Sequence, residues 1–324
     1  MNKLDELSAG GPPPRRKAPK GPHSASRWSP RSQFVLITAV ALALFVVIRL
    51  LPGGSNVSHM DFRVEGKGAI EFCDPANPQF IPVVSVRSPV AMTLASEREP
   101  ARGEPVEFTL TLRTASGKPI GPADLMVAHT RKLHLLVVDP TLSDYQHVHP
   151  EPGRRDGEWR FVLTPRRSGV YRVFADFTPA ATQRGLYAAA DFTVPGTVPT
   201  VINTGNTTWQ ERGFRFDLVL PPVLRAGEPA DLKFRIGSPG SVKEPVPLQP
   251  VMGAFAHLVA FDEARTGFAH LHPMETDLAQ APDALNPELN FKITIPQPGR
   301  YVIWAQVDLA GSESFVPFWV DVLP

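Results

Sequence analysis

The sequence predicts an all-β protein: two tandem immunoglobulin-like antiparallel β-sandwiches behind a single N-terminal transmembrane helix. Three observations support this prediction. One long apolar segment lies near the N-terminus, short segments of alternating apolar and polar residues are separated by Gly/Pro turns, and an internal repeat covers most of the remaining chain. The 324 residues are enough for two separate cores. Because 33 basic residues stand against 32 acidic ones, we expect no nucleic-acid partner.

The apolar segment predicts a transmembrane anchor at residues 34–51. Residues 34–48, FVLITAVALALFVVI, carry no charge, and the run is long enough to approach the width of a bilayer. Residues 1–33 are predicted to be a disordered cytoplasmic arm with an excess of basic residues: Lys3, Arg15, Arg16, Lys17, Lys20, Arg27 and Arg31. The positive-inside rule then predicts a single-pass protein of the inner membrane with its C-terminal domains periplasmic or extracellular. A cleaved signal peptide is the alternative, although no clear cleavage site follows.

The internal repeat divides the exported part of the chain into repeat 1 at residues 88–196 and repeat 2 at residues 199–324. Its matching segments occur in the same order: Gly103-Glu104-Pro105 and Gly227-Glu228-Pro229, then LHLLVVD and AHLVAFD, then YQHVHP and FAHLHP, then VYRVFADF and RYVIWAQV. Residues 52–87 are predicted to be a linker with extra strands laid against the first sandwich. This segment contains Cys73, the one cysteine, which excludes an intrachain disulfide.

Six of the nine histidines form a repeated triad with the spacing H-x12-H-x-H-P: His134, His147 and His149, then His257, His270 and His272. A hairpin that pairs Asp139 with Asp144 would set His134 opposite His149. Since side chains alternate along a strand, all three imidazoles would then share one face. The same register in repeat 2 gives a second convergent triad. Three imidazoles within reach of one another suit copper, zinc or nickel, and without a thiolate copper would be bound as Cu(II). Copper is the predicted ion, with zinc as the alternative.

Two further positions are candidate metal ligands. Five residues before the leading histidine, the first repeat has His129 and the second has Met252, and a thioether would favour Cu(I). Met274 is another soft donor in repeat 2 alone. Asp139 and Asp262 fall on the opposite face and are interpreted as turn-stabilising residues.

The alternative to a metal site is structural. The leading histidine shares its face with apolar residues in each repeat, so the triads could form a hydrogen-bonded network or a pH-responsive cluster. The sequence has no Gly-x-Ser-x-Gly elbow, phosphate-binding glycine loop or HExxH helix, and we expect no enzymatic activity. The two hypotheses are a membrane-tethered metal-binding protein for sequestration or delivery, and a non-enzymatic protein that scaffolds an envelope complex.

The segments QPVMGAFAHLVAF and FAHLHP of repeat 2 resemble bacterial exported sandwich domains that pair a Gly-x-x-x-His strand with a His-x-His-Pro strand. Repeat 1 departs from this pattern, because MVAHTRKLHLLVV lacks the glycine. With its N-terminal anchor, the chain also resembles the YtkA-like and FixH-like families. These families are associated with cytochrome oxidase maturation and heavy-metal handling, so the resemblance implies a bacterial periplasmic protein. We expect a membrane protein or a metal-handling protein as its partner. It supports the six triad histidines as site residues.

Overall fold

The computed structural model of the protein describes residues 29–50, 57–62, 78–201, 204–238 and 244–324, so the basic arm before residue 29 and Cys73 lie outside the described residues. Helix α1 spans Pro30–Leu50. It begins four residues before the predicted segment because Ser29 caps it: the Ser29 hydroxyl accepts a hydrogen bond from Ser32 N, and Pro30 occupies the first helical position. The part Pro30–Val47 is long and apolar enough to span a membrane, and its large apolar side chains are exposed.

Repeat 1 contains eight strands in two antiparallel sheets. The strands are β1 (Val90–Ser96), β2 (Val106–Thr114), β3 (Leu133–Val138), β4 (Tyr145–Val148), β5 (Glu151–Pro152), β6 (Glu158–Leu163), β7 (Gly169–Phe177) and β8 (Leu186–Val194). One sheet has the order β1-β2-β6-β5 and the other β4-β3-β7-β8. Alternate residues of both sheets form the core, in which Phe108, Leu110 and Trp159 are almost fully buried.

Repeat 2 follows the same plan, and its described residues form nine strands: β9 (Thr208–Glu211), β10 (Phe214–Val219), β11 (Pro229–Gly237), β12 (Leu248–Gln249), β13 (His257–Asp262), β14 (Phe268–Leu271), β15 (Glu288–Thr294), β16 (Gly299–Leu309) and β17 (Ser312–Val322). One sheet has the order β15-β11-β10-β9. The other has the order β12-β16-β13-β14, with β17 paired to β16. The predicted fold class is confirmed, since the described chain is mostly antiparallel β-structure in two tandem repeats after one apolar helix.

The two repeats pack against each other through the sheets that contain β3 and β13. Every residue of β3 is buried, because Leu135 and Val137 face the core of their own sandwich while Leu136 and Val138 face repeat 2. Aromatic rings from both repeats form the centre of this contact. Tyr145 of repeat 1 lies 5.4 Å from Phe261 and 5.8 Å from Trp304 of repeat 2, measured between ring centroids. The interface between the repeats is therefore a third apolar core.

The segment before repeat 1 contacts both repeats. Residues 57–62 pack on the first sandwich, where Val57 and Phe62 join the core. Ile81, in contrast, forms an isolated antiparallel bridge with Phe268 of β14. The prediction that this region adds strands to the first sandwich is wrong for residues 78–87, because the open edge of β14 lies in repeat 2 and accepts backbone hydrogen bonds from this segment.

Candidate metal centre

The hairpins that carry the triads have the predicted register. Leu136 pairs with His147 across β3 and β4, and Val259 pairs with His270 across β13 and β14. The carboxylate of Asp139 accepts hydrogen bonds from three backbone N–H groups of its turn, and Asp262 accepts from two. The interpretation of these aspartates as turn-stabilising residues is confirmed. The hairpins therefore hold each triad on a single face of its sheet.

In triad 1, three imidazole nitrogens converge. The Nδ1 atom of His134 lies 3.2 Å from Nε2 of His147 and 3.1 Å from Nε2 of His149. Nitrogens bound at ~2.0 Å to one tetrahedral ion would be about 3.3 Å apart. These two separations are therefore those of ligands to a single ion, and all three ligand atoms lie within 4.8 Å of one another.

Outer hydrogen bonds fix the tautomers of two triad 1 histidines. His134 donates from Nε2 to the carbonyl of Ala128 over 3.0 Å, and His147 donates from Nδ1 to Oε1 of Gln306 over 2.9 Å. The amide of Gln306 cannot be reversed, because its Nε2 donates to a carboxylate oxygen of Glu313. In the neutral imidazoles, His134 Nδ1 and His147 Nε2 are consequently both unprotonated. Each carries a lone pair, and the two lone pairs face each other.

Triad 2 has the same arrangement. His257 donates from Nε2 to the carbonyl of Val251, and the Nδ1 atom of His270 lies 3.1 Å from a carboxylate oxygen of Asp176. Their other ring nitrogens and Nε2 of His272 are buried and have no hydrogen-bond partner among the described residues. One ring nitrogen from each of the three histidines lies within 4.8 Å of the other two, so the second cluster could also hold a metal ion.

Burial keeps the histidines in the neutral form that binds metals. It lowers the pKa of His149 to about 3 and the pKa of His257 to about 4. Burial, followed by repulsion from neighbouring histidines, holds the pKa of His147, His270 and His272 well below the ordinary value. Since a proton does not compete at neutral pH, the converging lone pairs are available to a cation.

The interface brings the two triads together. The ring centroids of His147 and His270 lie 5.4 Å apart, and those of His134 and His270 lie 5.9 Å apart. His129 joins this cluster from repeat 1 and stacks on His272 of repeat 2, with 3.6 Å between ring centroids and 15° between ring planes. In parallel rings the in-plane lone pairs do not converge on one ion, so this geometry places His129 over the second triad as a cover.

Met252 occupies the position in repeat 2 that His129 occupies in repeat 1. Each is the first central residue of a two-residue turn with positive φ, 48° at His129 and 50° at Met252. The turns are Ala128–Arg131 and Val251–Ala254, closed by reciprocal backbone hydrogen bonds. A ligand role for His129 and Met252 stays a prediction.

A cleft of about 600 Å³ reaches the second triad from the surface. Its lining includes His129, His270, His272 and Asp176. Met274 also lines the cleft with a half-exposed side chain. A thioether at this position adds a soft donor to the path by which an ion would reach the imidazoles.

Two polar residues of the site were not found from the sequence. Asp176 pairs in register with His134, and Gln306 pairs in register with His257, yet each side chain bonds to a histidine of the other repeat. The available signal was a polar residue at matching places near the ends of two largely apolar segments, VYRVFADF and RYVIWAQV. Orienting partners of this kind set the tautomer and basicity of a metal-bound imidazole.

One family model matches the chain twice, at residues 86–197 and 210–323. The chain belongs to the family described as Domain of unknown function (DUF8832). Each copy of DUF8832 contributes one histidine triad, so the paired cluster forms between two copies of this domain. No curated protein sequence matches the chain.

Solved structures similar to this pair of DUF8832 domains are distant. The native conformation of Escherichia coli alpha-2-macroglobulin is 12% identical with a TM-score of 0.23, covering 72% of this chain and 17% of that one. A putative membrane anchored protein from Corynebacterium diphtheriae is 10% identical with a TM-score of 0.22, covering 72% of this chain and 59% of that one. The chain thus spans less than two thirds of each of these proteins, and the similarities assign no function.

Proposed function

We propose that this protein is a membrane-tethered, extracytoplasmic metal-binding protein, with copper as its ion, that sequesters the metal or delivers it to a partner. The contact between His134 Nδ1 and His147 Nε2 carries the proposal. Two lone pairs 3.2 Å apart repel each other unless a proton or a cation lies between them. Burial disfavours the proton, because it lowers the pKa of both histidines, and this supports a metal ion as the cation at that position.

The donor set supports copper over metals that prefer oxygen. Each triad offers three imidazole nitrogens and no carboxylate to the central position, a set that copper and zinc share. Copper is favoured in the second triad by Met274, whose thioether lines the cleft. Three protein ligands leave a fourth coordination position open, which an exchanging ion requires.

The apolar helix and the basic residues before it support the proposed location. In an inner membrane with the positive arm on the cytoplasmic side, both DUF8832 domains would lie in the periplasm or outside the cell. Bilayer lipid would cover the exposed apolar side chains of α1. The tether would keep the metal centre near a membrane-bound partner, and we propose binding and transfer of the ion without catalysis.

Metal titration of the full-length protein in detergent tests the proposal. Cu(II), Cu(I) and Zn(II) are titrated against the wild type, against the H147A/H149A and H270A/H272A variants, and against H59A as a matched control. His59 is exposed in a separate 3-10 turn. We expect tight binding of about one copper ion per triad, lost only from the mutated triad and unchanged in H59A.

Absence of binding tighter than micromolar for all three ions would overturn the proposal. The histidines would then be a structural network within an interaction protein. In that case the outer hydrogen bonds of His134 and His257 to backbone carbonyls would be their main role.

A further inference from the structure

The orienting partner of each triad comes from the opposite repeat. His147 of triad 1 is held by Gln306 of repeat 2, and His270 of triad 2 is held by Asp176 of repeat 1. Each repeat thus supplies three candidate ligands to its own triad and one orienting group to the other. Neither triad is complete unless both repeats are docked.

The distances between the rings place the two triads in one centre. The rings of His147 and His270 are 5.4 Å apart between centroids, and an ion at ~2.0 Å from each Nε2 would put the two ions within about 12 Å of each other. His147 belongs to repeat 1 and His270 to repeat 2, and both side chains are buried. Ions at this separation interact magnetically when both carry an unpaired electron.

The orienting groups differ in charge. Asp176 presents a carboxylate to Nδ1–H of His270, whereas Gln306 presents a neutral amide oxygen to His147. A carboxylate acceptor withdraws the imidazole proton more strongly and makes the other nitrogen a more basic ligand. It also places a negative charge behind a ligand of a dication, at a side chain that is only 21% exposed.

We infer that the two triads form one centre that binds two metal ions with unequal affinity. The triad of His257, His270 and His272, oriented by Asp176, binds Cu(II) more tightly than the triad that Gln306 orients. Asp176 and Gln306 are positioning residues, since they act through His270 and His147. The inference rests on the proposed metal-binding function. It adds that the two sites are linked across the interface and are ranked in affinity.

The first test compares single-site proteins. H147A/H149A retains the second triad and H270A/H272A retains the first. We expect Cu(II) to bind the second triad more tightly, and D176N to weaken it about 10- to 100-fold while Cu(I) binding changes less. The Cu(II)/Cu(I) potential of that site should rise, because the lost charge favours the reduced ion. D176E should restore part of the affinity.

A matched variant tests the cross-repeat connection. Q306L removes the acceptor of His147 and should weaken copper binding by the first triad, although Gln306 belongs to repeat 2. Equal affinities in the two single-site proteins, or an unchanged potential in D176N, would overturn the ranking. Thermal unfolding with a chelator shows that each variant is folded.

Electron paramagnetic resonance of the protein loaded with two Cu(II) ions tests the shared centre. We expect dipolar broadening or a half-field signal that neither single-site protein shows. A wild-type spectrum equal to the sum of the two single-site spectra would overturn the two-ion centre while leaving metal binding intact. A wild type that binds no copper would instead overturn the proposed function itself.

Discussion

The metal-free protein should lose stability when the pH falls from 7 to 5. His149 and His257 are the two histidines for which burial sets a pKa of about 3 and about 4, against 6.5 for an exposed imidazole. Between the folded and unfolded pKa values, the unfolded chain binds more protons than the folded one. Stability therefore rises with pH in this window and falls as the medium becomes acidic.

The size of the effect follows from the distance between pH 5 and the unfolded pKa. Each of these two histidines lowers the free energy of unfolding at pH 5 by about 2 kcal/mol relative to pH 7, and the pair lowers it by about 4 kcal/mol. His147, His270 and His272 act in the same direction because burial also lowers their pKa. Asp176 acts in the opposite direction, because burial raises the pKa of its carboxyl group.

Thermal unfolding of the full-length protein in detergent, with a chelator present, measures the loss. For a protein of this size, about 2 °C of Tm per kcal/mol is expected. The H149Q variant removes one titrating ring and should reduce the loss by about 2 kcal/mol. Copper-loaded protein should resist acid further, because a ligated imidazole must release its metal before it takes a proton. A Tm of the metal-free protein that is constant from pH 7 to pH 5 would refute the assignment of neutral, buried imidazoles.

Three further predictions concern the parts that hold the centre together. F261A removes a fully buried ring from the interface and should cost about 3–5 kcal/mol in chemical denaturation, with weaker copper binding at both triads. D139A removes an acceptor of three backbone N–H groups and should cost about 2–4 kcal/mol while weakening copper binding at the first triad only. G267A places a methyl group on the carbonyl of Ile81, so residues 78–87 should detach and become sensitive to limited proteolysis; unchanged cleavage would contradict the close packing seen here.

The sequence was sufficient to predict what depends on local rules. Period-two alternation and the fixed spacing H-x12-H-x-H-P gave the strands, the hairpin register and the shared face of each triad. Helix α1 begins four residues before the predicted anchor, because Ser29 and Pro30 set a helix start that charge-free length does not indicate. The path of residues 78–87 depends on which sheet edge is open, and this is a tertiary property that local patterns do not encode.

The meeting of the two triads could not be derived from either repeat alone. A signal was present in β3, where LHLLVV is apolar at consecutive positions and therefore predicts a strand covered on both faces. Nothing in the sequence says that the second cover is the other repeat. The roles of Asp176 and Gln306 follow only from that docking, because both side chains reach histidines more than ninety positions away in the chain.

The interface explains why the triads lie where they do. Around Tyr145 and Phe261 the two repeats are held together by apolar contacts. Next to these contacts, the interface contains imidazole rings whose nitrogens find no hydrogen-bond partner among the described residues. A buried polar atom without a partner costs about 1–3 kcal/mol, and the second triad has three that find no partner in the described part of the chain. A bound ion would satisfy those nitrogens and add its binding free energy to the docking of the repeats. On the proposed metal-binding function, loss of the ion should accordingly loosen the interface between the two DUF8832 domains.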